Sequence, residues 1–86
     1  MIKILIVEDN KINMFLAKTL ISKIIPESII IEARDGDEAI EQYKNQQPDI
    51  ILMDIQMPNK NGFEATCEIR EIEQDCFTPI IALTAG

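Results

Sequence analysis

The sequence predicts an α/β fold, a parallel sheet with helices on both faces. Three observations carry that expectation. Four short Ile-rich runs recur along the chain: "IKILIV" (2–7), "SIIIEA" (28–33), "DIILM" (49–53) and "PIIALT" (79–84). They alternate only weakly between apolar and polar residues, which suits strands covered on both faces. Helical patterns fill all three gaps between them, and such regular alternation implies right-handed crossovers between parallel strands.

Taken in order, the first run leads into a helix carrying Ile12, Phe15, Leu16, Leu20 and Ile24 at three- and four-residue spacing. Pro26 stops it, because proline cannot continue the hydrogen-bond ladder. The second helix follows "RDGDEAIEQYKNQQP", where Asp35 with Glu38 three residues later reads as a capping box. Its apolar stripe is Ala39, Ile40 and Tyr43. The third helix is expected from about Gly62 to Gln74, capped by Asn61, with Phe63, Thr66, Cys67 and Ile69 to Ile72 facing inward.

With 86 residues the chain forms one domain at most, and its 47% hydrophobic content suffices for a core. No apolar stretch is long enough for a transmembrane helix. The N-terminal "MIKILIVED" reaches acids too soon for a signal peptide. The formal charge of -7 disfavours nucleic acid and acidic membrane surfaces, and favours divalent cations and basic protein patches. Cys67 and Cys76 stand nine residues apart with no C-x-x-C spacing, and the chain has no histidine. A zinc site and a histidine-dependent nucleophile are thereby disfavoured, and free thiols in a reducing cytoplasm are expected. Any phosphohistidine chemistry needs a histidine from another chain or domain.

The strand ends carry the chemistry. Ligands of open parallel sheets bind beyond the carboxyl ends of the strands. Here those ends bear Glu8-Asp9, Asp54 and Thr84, which crossovers bring to one edge. Asp and Thr also cap helices at such places, and for Thr84 alone capping is a sufficient account. Three clustered acids ask for more, since they raise one another's pKa. A hard divalent cation such as Mg²⁺ compensates them through oxygen ligands. A carboxylate beside it can then act as a nucleophile on a phosphoryl group.

The motifs "ILIVEDN", "RDGDEAI", "PDIILMDIQMP", "NG" and "PIIALTA" together resemble the receiver domain of two-component response regulators. "VEDNxxN" and "MDIQMP" are most similar to receivers of hybrid sensor histidine kinases. The resemblance spans the whole chain and implies a flavodoxin-like, doubly wound parallel sheet of strand order 2-1-3-4. It implies Asp54 as phosphoacceptor, Asp9 as a direct ligand of Mg²⁺ or Mn²⁺, Glu8 acting through water, and the Gln56 backbone carbonyl as a further ligand. Thr84 matches the switch hydroxyl, and Ala85 the small residue that leaves room for the phosphoryl. Pro58 and Gly62 match the turn into the third helix. On this reading the strand stops on Asp54 so that a rigid element presents the carboxylate at the sheet edge.

The chain departs from the family in two ways. Asn61 stands where an acid is common. The sequence ends at Gly86, before the family's fifth strand, its lysine and its last helices, so residues 1–86 read as the N-terminal (βα)3β portion. Lys3, Lys11 and Lys60 lie in the wrong elements to replace that lysine. The expected function is a cytoplasmic phosphoacceptor module of a phosphorelay. It would not be a stand-alone enzyme, but would take part in its own phosphorylation and dephosphorylation. Its partners would be a sensor histidine kinase or phosphotransfer domain and a downstream output domain, with no nucleic acid contact and no membrane insertion. One alternative is a truncated or swapped structural fragment without phosphotransfer. Another is an aspartyl-phosphate phosphohydrolase, which Gln56 disfavours by standing where such enzymes carry a second acid. The uncharged "PIIALT" run, left as a sheet edge, is expected to recruit another strand.

Overall fold

The computed structural model describes residues 1–54, 62–73 and 78–83, without the side chains of Phe63 and Leu83. Gln56, Pro58, Lys60, Asn61, Cys76, Thr84 and Ala85 lie outside the described residues. The elements follow in the expected order: β1 (Lys3–Val7), α1 (Lys11–Ile24), β2 (Ile29–Ala33), α2 (Gly36–Gln46), β3 (Ile50–Asp54), α3 (Gly62–Ile72) and β4 (Ile80–Leu83). The four strands form one parallel sheet in the order β2-β1-β3-β4. β1 at the centre is buried from Ile4 to Val7, as its unbroken apolar run requires.

Side chains alternate across the pleat, so each central strand feeds two cores. On one face Leu5, Val7, Ala33, Ile51 and Met53 meet Ala39 of α2 and Ala65 and Ile69 of α3. On the other, Ile4, Ile6, Ile30, Ile50 and Leu52 meet Met14, Ala17 and Ile21 of α1, with Ile25 just beyond it. Each large side chain fully buried in this way contributes about 1.5–3 kcal/mol.

Two expectations about helix faces need correction. The α1 residues singled out by spacing do not form its packed ridge: Ile12 is 71% exposed, Leu20 58%, and Phe15, Leu16 and Ile24 are also exposed. The helix carries apolar residues around much of its circumference, and the ridge on the sheet is Met14, Ala17 and Ile21. In α3, Cys67 is exposed rather than inward, because the positions four apart at Ala65 and Ile69 take the core face. The α2 stripe is as expected, with Ala39 buried and Ile40 and Tyr43 packed against it.

The caps follow local chemistry. Asp35 accepts from the Glu38 backbone N–H at 2.9 Å. Glu38 reaches back one residue further than a capping box requires, accepting from the Arg34 N–H at 3.2 Å. α2 ends at Gln47, whose φ of 48° is the one left-handed non-glycine conformation among the described residues. β4 is an edge of the described sheet, and Ile81 on it is exposed.

Candidate functional site

β1 and β3 are adjacent and parallel, with Val7 level with Met53. The next residue of each chain segment is therefore an acid: Glu8 after β1 and Asp54 at the end of β3. Glu8, Asp9 and Asp54 each place a carboxylate oxygen so that the three lie within 4.8 Å of one another. Glu8 and Asp54 are buried, at 8% and 5% exposure, while Asp9 is open to solvent. The expected acid cluster is thus formed. Gln56 and Thr84 fall outside the described residues.

The turn after β1 is held by its own polar groups. The Glu8 backbone N–H donates to the Ala33 carbonyl at 3.0 Å, which ties the strand end to β2. Asn10 caps α1 by accepting from the N–H groups of Ile12 at 2.9 Å and Asn13 at 3.0 Å. The Asn10 N–H in turn donates to Glu8 Oε1 at 3.2 Å. Asn10 thus fixes the helix start and one of the acids together. Its position before an apolar-periodic segment was the available sequence signal for that role.

The electrostatics is unbalanced. Burial pushes the Glu8 carboxyl above its ordinary pKa, and the Asn10 N–H only partly offsets this. The charges of Asp54 and Asp9 and a hydrogen bond with the Asp54 side chain raise it further. Such a carboxylate group gains from a cation that supplies the missing positive charge. The all-oxygen donor set, with one exposed member, fits a hard divalent ion that retains water ligands.

An open groove of about 480 Å³ runs from Glu8 and Asp9 along α1, lined further by Lys11, Met14, Phe15, Lys18, Glu32 and Arg34. Lys18 bridges to Glu32 at 2.7 Å across its wall. Lys3 is occupied at the opposite end of the strands, its ammonium donating to the Gln46 carbonyl at 3.1 Å.

Comparison with known families agrees with this geometry: the family model of the response regulator receiver domain matches residues 4–86. The chain belongs to that family. It is 49% identical over 90 residues to hybrid signal transduction histidine kinase I of Dictyostelium discoideum, covering 96% of this chain and 5% of that protein. It is 42% identical over 82 residues to the polar-differentiation response regulator DivK of Brucella ovis, covering 95% of this chain and 65% of DivK. The chain therefore spans less than two thirds of either relative. Among solved structures, the receiver domain of a sensor histidine kinase of Pseudomonas aeruginosa superposes with a TM-score of 0.88 at 37% identity, covering 96% of this chain and 66% of that one. That domain was solved with a magnesium ion coordinated in its active site cleft.

As a receiver domain, the chain has its three acids where β1 and β3 end together. No helix among the described residues is long and apolar enough to cross a membrane.

Proposed function

We propose that this receiver domain is a phosphoacceptor module of a two-component phosphorelay, and that Asp54 takes the phosphoryl group. The observation that carries the reading is the meeting of the buried Asp54 carboxylate with Glu8 and Asp9, their oxygens within 4.8 Å. An Asp54 oxygen attacks the phosphorus of a phosphohistidine on a partner kinase or phosphotransfer domain. The P–N bond breaks, its electron pair stays on the imidazole nitrogen, and that nitrogen takes up a proton. The product is an aspartyl phosphate, later cleaved at its P–O bond by water to return the carboxylate and inorganic phosphate. A bound Mg²⁺ or Mn²⁺ would neutralise the phosphoryl oxygens during transfer.

The chain's own residues fill the remaining roles. Asp9, exposed at the rim, would be a direct metal ligand, and Glu8, buried and held by Asn10, would act through water. The Gln56 carbonyl would, by the family pattern, be the further ligand. By the family pattern Thr84 would be the hydroxyl that reports the phosphoryl group and Ala85 the small residue beside it, with Pro58 and Gly62 matching the family's turn before α3. The groove along α1 begins at Glu8 and Asp9, where Asp9 is exposed to an approaching partner, and an output domain or protein reads the altered surface. The module works in the cytoplasm.

The exposed Ile81 on the edge strand, with exposed Leu16, Leu20 and Ile24 on α1, favours a second reading. In it these 86 residues are a structural piece that pairs with a second copy through β4 and transfers no phosphoryl group. Incubation with a small phosphodonor and Mg²⁺ separates the two. A hydroxylamine-sensitive phosphoryl group on the folded chain supports the first reading. A folded, dimeric chain that takes none supports the second.

A further inference from the structure

The turn after β1 joins the acid cluster to the start of α1, and Asn10 is bonded to both. Its side-chain carbonyl accepts from the Ile12 N–H at 2.9 Å and the Asn13 N–H at 3.0 Å. Its backbone carbonyl accepts from the Met14 N–H at 2.9 Å, and Met14 is buried in the cluster that contains Ile4 and Ile6 of β1. Three bonds thus pin Asn10 to a helix that is itself packed on the strand leading into the turn. With φ -89° and ψ 122° the residue stays extended. Its own N–H is one of the donors that a helix start leaves without an intrahelical partner, and it donates to Glu8 Oε1 at 3.2 Å. The Glu8 backbone is fixed separately, through its N–H to the Ala33 carbonyl at 3.0 Å.

Glu8 therefore has one carboxylate oxygen engaged by the protein. Such a carboxylate can offer its other oxygen singly, but is hindered from chelating an ion through both. Divalent ions differ on this point. Mg²⁺ demands near-octahedral geometry and keeps several waters, whereas Ca²⁺ takes about six to eight oxygens and accepts bidentate carboxylates.

We infer that Asn10 is a positioning residue of the metal site: by holding its N–H on Glu8 Oε1 it keeps that carboxylate from bidentate coordination and biases the acid cluster toward Mg²⁺ over Ca²⁺. The inference rests on the reading of Glu8, Asp9 and Asp54 as a metal site, and names a residue that tunes its choice of ion. Asn10 acts only through Glu8. Without the side-chain carbonyl, residue 10 is freer to rotate about its backbone, and its N–H no longer tracks the Glu8 oxygen.

The test measures Mg²⁺ and Ca²⁺ dissociation constants by NMR titration of the Glu8, Asp9 and Asp54 amides, at one pH and ionic strength. The chains compared are the native one, Asn10→Ala, Asn10→Ser and Ala17→Gly. Serine caps a helix about as well as asparagine and alanine does not. Ala17→Gly loosens α1 further along, where Ala17 packs on the sheet, and leaves the cap in place. Asn10→Ala should weaken Mg²⁺ binding about tenfold, the lower end of what losing a group behind a metal ligand costs. Ca²⁺ binding should hold or strengthen, so the preference for Mg²⁺ falls by that factor or more. Asn10→Ser should recover most of the native preference, and Ala17→Gly should match the native chain with both ions.

An unchanged Mg²⁺ affinity in Asn10→Ala would overturn the inference. Equal losses for the two ions, a loss that Ala17→Gly reproduces, or no recovery in Asn10→Ser would overturn it too, because each leaves Asn10 a structural role alone. If Asn10→Ala does not fold, Asn10→Gly replaces it, since it lacks the same carbonyl and glycine is tolerated at a helix cap. A native chain that binds no Mg²⁺ would end the metal-site reading and the inference with it. The other contrary outcomes, seen with Mg²⁺ bound by the native chain, would end the inference alone.

Discussion

Glu8 and Glu73 are both removed from water, at opposite ends of the sheet, and they are treated in opposite ways. Glu73 is met by the Arg70 guanidinium and the Thr78 N–H, at 2.6 Å each, and its pKa is held down. Glu8 is met by two further acids and one weak 3.2 Å bond from Asn10, and its pKa is driven up, chiefly by burial. The difference separates two uses of a buried charge. A carboxylate whose acceptors are all filled by the protein holds structure in place. One left short of positive charge is kept for something that arrives later.

The largest expected effect comes from breaking the satisfied end. Glu73→Ala strips the buried Thr78 N–H of its acceptor and should cost about 1–3 kcal/mol of folding stability, read from the denaturant midpoint. At the other end, Glu8→Gln removes an unfavourable charge. Without metal and near neutral pH it should leave stability equal to or above that of the native chain. A loss as large as that of Glu73→Ala would erase the contrast.

The pH dependence sharpens it, because the two groups have opposite signs. The raised Glu8 pKa means the folded chain binds more protons than the unfolded chain across the window between the two values. Stability from Glu8 is therefore full below the unfolded value and is lost as pH rises through the folded one. Glu73 has its pKa lowered, so its contribution is present above the unfolded value and is lost as pH falls through the folded one. Subtracting the metal-free stability-against-pH curves of Glu8→Gln and Glu73→Gln from the native curve should give differences of opposite slope.

A divalent cation should act on one end only. Millimolar Mg²⁺ should raise the native melting temperature, as binding to the folded state requires. The rise should vanish in the Asp9→Asn, Asp54→Asn double variant and persist in Glu73→Gln. The smallest effect is at neither end: Cys67→Ser, on the exposed side of α3, should change stability by no more than about 0.5 kcal/mol.

Much of this molecule was legible beforehand, for identifiable reasons. Ile-rich runs with helical gaps specify a parallel sheet, so β1 to β4 appear as expected, while the order β2-β1-β3-β4 is the one that the family resemblance implies. Glu8, Asp9 and Asp54 were readable as neighbours because parallel strands bring their carboxyl ends to one edge. Helix faces were less legible. Apolar residues at Ile12, Phe15, Leu16, Leu20 and Ile24 outnumber those at Met14, Ala17 and Ile21, and spacing alone does not say which set meets the sheet. The contacts of Glu73 with Arg70 and Thr78 were not legible at all. Glu73 and Thr78 are five residues apart, and no periodicity marks a carboxylate that will accept from a backbone amide.

Whether Asp54 is the acceptor is decided by one comparison. The native chain, Asp54→Asn and Asp9→Asn are incubated with the same small phosphodonor and Mg²⁺, and labelling is followed by intact mass. A hydroxylamine-sensitive phosphoryl group is expected on the native chain, with slower labelling of Asp9→Asn and none on Asp54→Asn. Labelling of a folded Asp54→Asn chain at the native rate would contradict Asp54 as the acceptor.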